Sequence, residues 1–437
     1  GMLEKSQQVF DKITAHNTVS WTALIAGYTQ HGYNEDALGC FNKMVSYGIS
    51  PNANTFVCIL KACGNIRAVD KGKEIHDNIV SWNLLEKDAA LASALIDMYS
   101  KCGMLSKAQE VHDSLHIRDM VSYCALIGGF AEYGRGREAL NCYAQMEEEG
   151  FSPDVVTLVY ILKACGNTGA IDKGKYIHDE ILKTDFLEKD IMLGTALVDM
   201  FAKFGMLRRA REVFEKIQVR DLALWNALIS GYTNNGLGKE ALNYFEQMQD
   251  EAFSPNSVTF LCGLKACASL GCLEMGERIH AEVRKQGLLE KDILLGAAII
   301  DMYAKCRMLG KAQEVFKILP TWNISCWSSL IEGYLEHGML YEALNCVMQM
   351  KGKGLFPKVS TFGSILQVFD SHYCISNTSG WVLEILFLRR SSIIDLSILR
   401  YAMRILFTVC FMRVRVFAPL VRSGILDMNL QKMPLLY

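Results

Sequence analysis

TVSWTALIAGYTQHGYNEDALGCFNKMVSYGISPN, residues 18–52, is the stretch that decides the fold. Trp21, Leu24, Ile25 and Tyr28 fall at i, i+3, i+4 and i+7, the spacing of one helical face. Gly32 then stops that helix as a C-terminal glycine does. Ala37, Leu38, Phe41 and Met44 set out a second stripe, which Gly48 and Pro51 end. The stretch predicts a helix–turn–helix hairpin. Such a hairpin cannot bury its apolar face alone, so neighbouring chain must cover it.

The neighbours are copies at a spacing of 102 residues. Trp21 has its equivalents in Tyr123, Trp225 and Trp327, and Gly32 in Gly134, Gly236 and Gly338. Ala37 returns as Ala139, Ala241 and Ala343, and Met44 as Met146, Met248 and Met350. Pro51 returns as Pro153, Pro255 and Pro357, so four of the seven prolines share one phase. Self-similarity at a fixed period is the mark of stacked repeats. At 437 residues, length alone implies about three domains. A solenoid instead has one continuous core whatever its length.

Each block divides into three hairpins. The first type lies at 18–52, 120–154, 222–256 and 324–358. The second, at 53–88, 155–190 and 257–292, carries Lys-Ala-Cys, then Gly72, Gly174 or Gly276, then His76, His178 or His280. The third lies at 89–119, 191–221 and 293–323, with Gly103 and Gly205 between its helices and Arg307 in the third copy. The periodic glycines read as hairpin punctuation. Residues 1–17 match the end of a third-type hairpin, so the chain is expected to start partway through a repeat, with any targeting segment outside it. A partial second-type hairpin occupies 359–369.

The stretch 370–437 carries no repeat; arginines interrupt its apolar runs before they reach the ~18 residues a membrane span needs. It is either a helical cap or a divergent C-terminus, and the abrupt end of the register favours the second. The net charge is −2; residues 1–369 hold 37 Lys/Arg against 43 Asp/Glu, so a role with nucleic acid requires a local basic surface. None of the fifteen cysteines forms a Cys-x-x-Cys pair, and Cys63, Cys165 and Cys267 recur inside helices as small buried hydrophobes. Abundant unpaired thiols suit a reducing compartment.

Catalytic signatures are incomplete. His178-Asp-Glu180 and His280-Ala-Glu282 match half of a zinc deaminase site, but no Pro-Cys-x-x-Cys supplies the remaining ligands. The third copy, His76-Asp-Asn78, lacks the glutamate. The sequence contains neither a phosphate loop nor a nucleophile elbow. The histidines read as helix packing, and no enzyme, metal or cofactor is expected.

Trp21-x-x-Leu24, Tyr28 and Ala37-x-x-x-Phe41 are similar to a tetratricopeptide repeat, but Ile25 stands where that consensus has glycine and the hairpins rotate through 35, 36 and 31 residues. That rotation resembles a plant pentatricopeptide-repeat protein of the PLS subclass, over residues 1 to about 369. The resemblance implies an all-α, right-handed α-solenoid superhelix of stacked hairpins. Its P repeats are the first-type hairpins, its L repeats the second and its S repeats the third. It further implies an organellar protein, in mitochondrion or chloroplast, that binds single-stranded RNA as a recognition factor for cytidine-to-uridine editing. Editing-complex proteins would supply the deaminase in trans. The extension and deaminase modules of that subclass have no counterpart after the last repeat here.

In that family the fifth and last residues of a repeat select a base. Thr22 with Asn52 corresponds to an adenine reader, Ser93 with Asp119 and Thr195 with Asp221 to guanine readers, and Asn226 with Asn256 to a pyrimidine reader. Cys124 with Asp154, Ala297 with Asn323 and Ser328 with Lys358 form poor pairs. Val57, Val159 and Leu261 hold the fifth position of the L repeats, where they can only sandwich a base. The implied 5′-to-3′ preference is A, any, G, any, any, G, pyrimidine, then three unspecified positions. A protein-interaction scaffold of tetratricopeptide type, or a truncated product without a partner, is the alternative.

Overall fold

A computed structural model describes residues 2–368, apart from 86–87, 116–117, 185–186, 188–189, 359, 362 and 366. The 370–437 tail and part of the 359–369 hairpin lie outside the described residues. The described residues form helices and no strand. Two compact units divide the chain, Gly1–Asn235 and Gly236–Tyr437.

The first unit opens with α1 (Met2–Asp11), the only helix before residue 18 among the described residues. The hairpins follow as α2 (Thr18–Gln30) with α3 (Asn34–Ser46), α4 (Ala53–Ile66) with α5 (Val69–Ser81), and α6 (Ala89–Lys101) with α7 (Leu105–Asp113). After them come α8 (Met120–Glu132) with α9 (Gly136–Glu148), α10 (Val155–Thr168) with α11 (Ile171–Ile181), and α12 (Ile191–Lys203) with α13 (Leu207–Lys216), and last α14 (Leu222–Asn234). The second unit holds α15 (Gly238–Asp250), α16 (Ser257–Leu270), α17 (Leu273–Lys285), α18 (Ile293–Lys305), α19 (Leu309–Ile318), α20 (Ile324–Glu336) and α21 (Leu340–Gly352).

Within the first unit the opening helices of successive hairpins pack on one another, α2 on α4, α4 on α6, and so on to α14. The closing helices α3, α7 and α9 each touch the first helix of their own hairpin and that of the next. The second unit repeats the arrangement, α16 on α18 and α18 on α20. This is the α-solenoid that the repeats require: each hairpin buries one face on the hairpin before and another on the hairpin after. Trp21, Leu24 and Ile25 are buried as their spacing predicts, and so are Ala37, Phe41 and Met44. Tyr28 is only half-buried and donates its hydroxyl to Gln7 Oε1 at 2.9 Å.

An edge-to-face ring contact joins each third-type hairpin to the hairpin that follows. Phe10 meets Trp21 edge-to-face at 4.6 Å, and Phe214 meets Trp225 at 4.7 Å. In the second unit Phe316 meets Trp327 at 4.6 Å. The fourth joint pairs His112 with Tyr123, also at 4.6 Å. His112 is fully buried with neither ring nitrogen in a hydrogen bond; the Asp113 carboxylate, 3.8 Å from Nδ1, is too far to make one.

The glycines divide into two kinds. Gly32, Gly103 and Gly205 stand at φ of +81°, +76° and +71° between helices, as punctuation should. Arg307 takes the same turn at φ +61°, its N–H bonded to Ala304 O, in a region that disfavours a side chain. Gly72, Gly174 and Gly276 correct the punctuation reading, because each lies inside a helix. A Cβ on Gly72 would stand 2.5 Å from Met98 Sδ, and one on Gly276 the same distance from Met302 Sδ. These glycines let two helices close on a methionine.

Burial, with Arg118 nearby, depresses the His112 pKa, so the ring is neutral in the fold. The unfolded ring titrates near the ordinary value of about 6.5. Its contribution to stability is therefore present above that value and is lost as the pH falls through it. His112→Phe restores the ring found at the sister joints. Thermal denaturation should show the variant more stable at pH 7 by about 1–2 kcal/mol, the cost of an unsatisfied buried group. The variant should also lose less stability than the parent between about pH 7 and 5.

Candidate nucleic-acid interface

Every opening helix of a hairpin starts on an Asn or Asp whose side chain caps it. In the first unit these are Asn17, Asn52, Asp88, Asp119, Asp154, Asp190 and Asp221. In the second they are Asn256, Asp292 and Asn323. The closing helices have no side-chain cap, as at Tyr33, Ala68 and Arg135. Among the described helices, the last residue of each hairpin from Asn17 to Asn323 is thus the N-cap of the next. The signal was present in the sequence as Asn or Asp followed three residues later by Ser or Thr (Asn52 and Thr55, Asp119 and Ser122, Asp154 and Thr157).

One side-chain atom does the capping. Asn52 Oδ1 accepts from Thr55 N at 2.9 Å, Asp119 Oδ1 from Ser122 N at 2.8 Å, and Asp221 Oδ1 from Leu224 N at 2.8 Å. Because the partner is a backbone N–H, the atom facing it must be an oxygen. The amide of Asn52 is therefore oriented with Nδ2 away from the helix end. An aspartate at the same place turns a second acceptor outward. Asn and Asp cap equally well, so the fold is indifferent to which one is present.

The fifth residues vary in accessibility. Thr22, Cys124, Thr195 and Asn226 are half-buried. Ser93, Ala297 and Ser328 are only 5%, 6% and 7% exposed, which leaves a base little surface there. Thr22 Oγ1 lies 2.7 Å from both Thr18 O and Thr55 Oγ1, and Thr55 Oγ1 lies 2.8 Å from Asn52 Oδ1. Thr22 and Asn52 are thereby brought together through one hydroxyl. Ser93 and Thr195 donate back to Ala89 O and Ile191 O in their own helices. Asn226 belongs to the first compact unit and Asn256 to the second. Lys358 is exposed, and Ser328 accepts from Thr361 Oγ1 at 3.4 Å.

Val57, Val159 and Leu261 are half-buried. More open apolar groups, missed in the sequence, stand three residues earlier on the same helical face as the fifth residue. They are Val19 (70% exposed), Val121, Val156 and Met192 in the first unit, and Val258 and Leu294 in the second. An apolar side chain exposed at one fixed phase was the signal. Lys61, Lys163 and Lys265, one turn beyond the fifth residue, are exposed and form no ion pair among the described residues. Lys101, Lys203 and Lys305 pair with Asp97, Asp199 and Asp301 at 2.6, 2.7 and 3.0 Å.

The periodic histidines face other helices. His76 Nδ1 is 2.8 Å from Tyr99 OH, His280 Nδ1 is 3.0 Å from Tyr303 OH, and His178 meets the Phe201 ring edge-on at 5.1 Å. Burial lowers the pKa of all three. Among the described residues no group of three or more His, Cys, Asp or Glu side chains is placed to hold a metal. Burial raises the thiols of Cys63 and Cys267 to about 12, which keeps them protonated and inert.

Fold and site together define a helical-hairpin repeat protein with a regularly presented row of polar and apolar side chains. The PPR repeat family model matches residues 16–65, 118–167 and 220–269, and the PPR repeat model matches 92–119, 195–222, 298–324 and 325–355. A chloroplastic pentatricopeptide repeat-containing protein of Arabidopsis thaliana is 34% identical over 84% of this chain and 59% of its own length. A mitochondrial one from the same plant is 34% identical over 84% of this chain and 53% of its own. The chain belongs to the pentatricopeptide-repeat family and spans about half the length of the curated relatives it matches. Among solved structures it is similar to the pentatricopeptide repeat protein PPR10 in complex with an 18-nt psaJ RNA element. That likeness has a TM-score of 0.65 at 18% identity, over 85% of this chain and 60% of that one, and it shows a shared fold.

The cap can be tested apart from any ligand. Asp221→Ala should lower unfolding stability by about 1 kcal/mol, whereas Asp221→Asn should leave it within a few tenths, measured by urea denaturation.

Proposed function

We propose that the chain binds single-stranded RNA in sequence-specific fashion and marks an organellar transcript for processing, cytidine-to-uridine editing in particular. On this reading it is a PLS-type array whose deaminase is supplied by another protein. The observation that carries the proposal is that caps such as Asn52, Asp119 and Asp221 use only Oδ1 for the helix end. The cap fixes where the last side chain of a hairpin lies and leaves its identity to vary. An outward Nδ2 from Asn52 is a donor, suited to the ring-nitrogen acceptor of adenine or cytosine. An outward carboxylate oxygen from Asp119 or Asp221 is an acceptor, suited to the imino N–H of guanine or uracil. The fifth side chain then completes the choice.

Other features support the same reading. The exposed Val19, Val121 and Val156 offer apolar surface against base faces, a role better suited to Val156 than to the half-buried Val159. Unpaired Lys61, Lys163 and Lys265 supply positive charge for phosphates on a chain of net charge −2. The RNA bound to PPR10 and the chloroplastic and mitochondrial names of the relatives are consistent with partner and compartment.

In a binding assay the chain should prefer RNA carrying A-N-G-N-N-G-Y over the same RNA with both G positions changed to C. Asp119→Asn with Asp221→Asn should move the preference at those two positions from G toward A, by about 1–3 kcal/mol at each position, with stability unchanged. An unmoved preference would remove these residues as readers, and tight peptide binding without RNA affinity would favour the scaffold. Replacing Lys61, Lys163 and Lys265 with Ala should weaken all RNAs alike and flatten the log–log salt dependence by roughly 0.7 for each phosphate left unneutralised.

A further inference from the structure

We propose that Thr55 is a positioning residue for base selection, locking Thr22 and Asn52 into one recognition unit without touching RNA itself. The proposal rests on the base-selecting role assigned above to that pair. Thr55 is fully buried, so it cannot meet a ligand. Its hydroxyl lies 2.7 Å from Thr22 Oγ1 and 2.8 Å from Asn52 Oδ1, and its oxygen accepts the Asn52 N–H at 3.2 Å. Thr22 and Asn52 sit on different hairpin edges, thirty positions apart, and this one side chain bonds to both.

The bonding decides what each reader shows. With the Thr55 proton given to Asn52 Oδ1, the bridge holds when the single hydroxyl proton of Thr22 goes inward to Thr55 Oγ1 at 2.7 Å rather than to Thr18 O. What Thr22 offers outward is a lone pair. Asn52 Oδ1 accepts from both the N–H and the hydroxyl of Thr55, so its amide is held against rotation and offers the Nδ2 donor. An acceptor beside a donor at fixed spacing matches the amino group and ring nitrogen of adenine, and opposes the carbonyl and imino N–H of guanine.

The next first-type hairpin shows the device broken. Thr157 is as buried as Thr55 and likewise gives its N–H to the cap, Asp154 Oδ1, at 2.8 Å. Its neighbour in the place of Thr22 is Cys124, whose pKa burial raises and the Thr157 hydroxyl lowers. A protonated thiol is a weak acceptor, and the Thr157 hydroxyl has no hydrogen bond of ordinary geometry. The N–H cap is kept, but Thr157 returns no hydroxyl bond to the cap backbone and makes none of ordinary geometry to Cys124.

The test uses the full chain and single-stranded RNA of A-N-G-N-N-G-Y type with A, G or an abasic site at the first position. Thr55→Val should lower the A-over-G affinity ratio about five- to tenfold, the worth of one ordered hydrogen bond. Affinity for the abasic RNA should not change, and Thr55→Ser should restore the ratio. Cys124→Thr should raise G-over-A discrimination at the fourth position of that RNA, varied in the same way. If the parent discriminates and Thr55→Val retains the full ratio, the bridge is overturned while base selection stands. If the parent shows no preference at the first position, the pair is not a reader and the proposal falls with it.

Discussion

The edge-to-face contact between a ring at the end of one block and a ring at the start of the next is the directional interaction that holds those two hairpins together. Phe10 on Trp21, Phe214 on Trp225 and Phe316 on Trp327 hold ring centres 4.6 to 4.7 Å apart at interplanar angles of 68°. Such a pair adds about 0.5–1.5 kcal/mol beyond the area it buries and has a preferred angle, which a purely aliphatic contact lacks. In a stack of repeats each hairpin is placed only by its neighbours, so a directional contact recurring once in every block matters more here than in a globular core. The His112–Tyr123 joint keeps the geometry, at 66°, while substituting a buried imidazole with unpaired nitrogens.

Much of this was legible in the sequence, because apolar spacing and a fixed period are the same statement about helices made twice. The stripe of Trp21, Leu24 and Ile25 needed only 3.6-residue periodicity to be placed on a buried face. Gly72 misled because a glycine between apolar stripes looks the same whether it ends a helix or admits a neighbour. The distinction depends on Met98 from another hairpin. The caps are hidden for a different reason. Asn52 and Asp119 carry two roles at once, and the recognition role that the family resemblance gives them masks the local chemistry they share with the residue three positions on. Burial of Ser93, Ala297 and Ser328 depends on how closely adjacent opening helices approach, which no single hairpin encodes.

The interface is layered by depth. Buried Thr55 and Thr157 lie beneath half-buried Thr22 and Cys124, and exposed Val19 and Val121 stand outside them. Rigid supports below and variable groups above is the arrangement that discrimination requires, since a reader that swings freely donates to any acceptor it meets. Lys61, Lys163 and Lys265 lie on the opening helices of the second-type hairpins, one turn past Val57, Val159 and Leu261.

The cap also bears on how such a chain changes over generations. Asn and Asp differ by one nucleotide in their codons, and both satisfy the same helix end. A point mutation can therefore exchange an outward donor for an outward acceptor without approaching the stability threshold that eliminates most substitutions. On the proposed base-selecting role, specificity can drift one hairpin at a time while the solenoid stays folded. The same oxygen that starts each helix is what makes the neighbouring atom free to evolve.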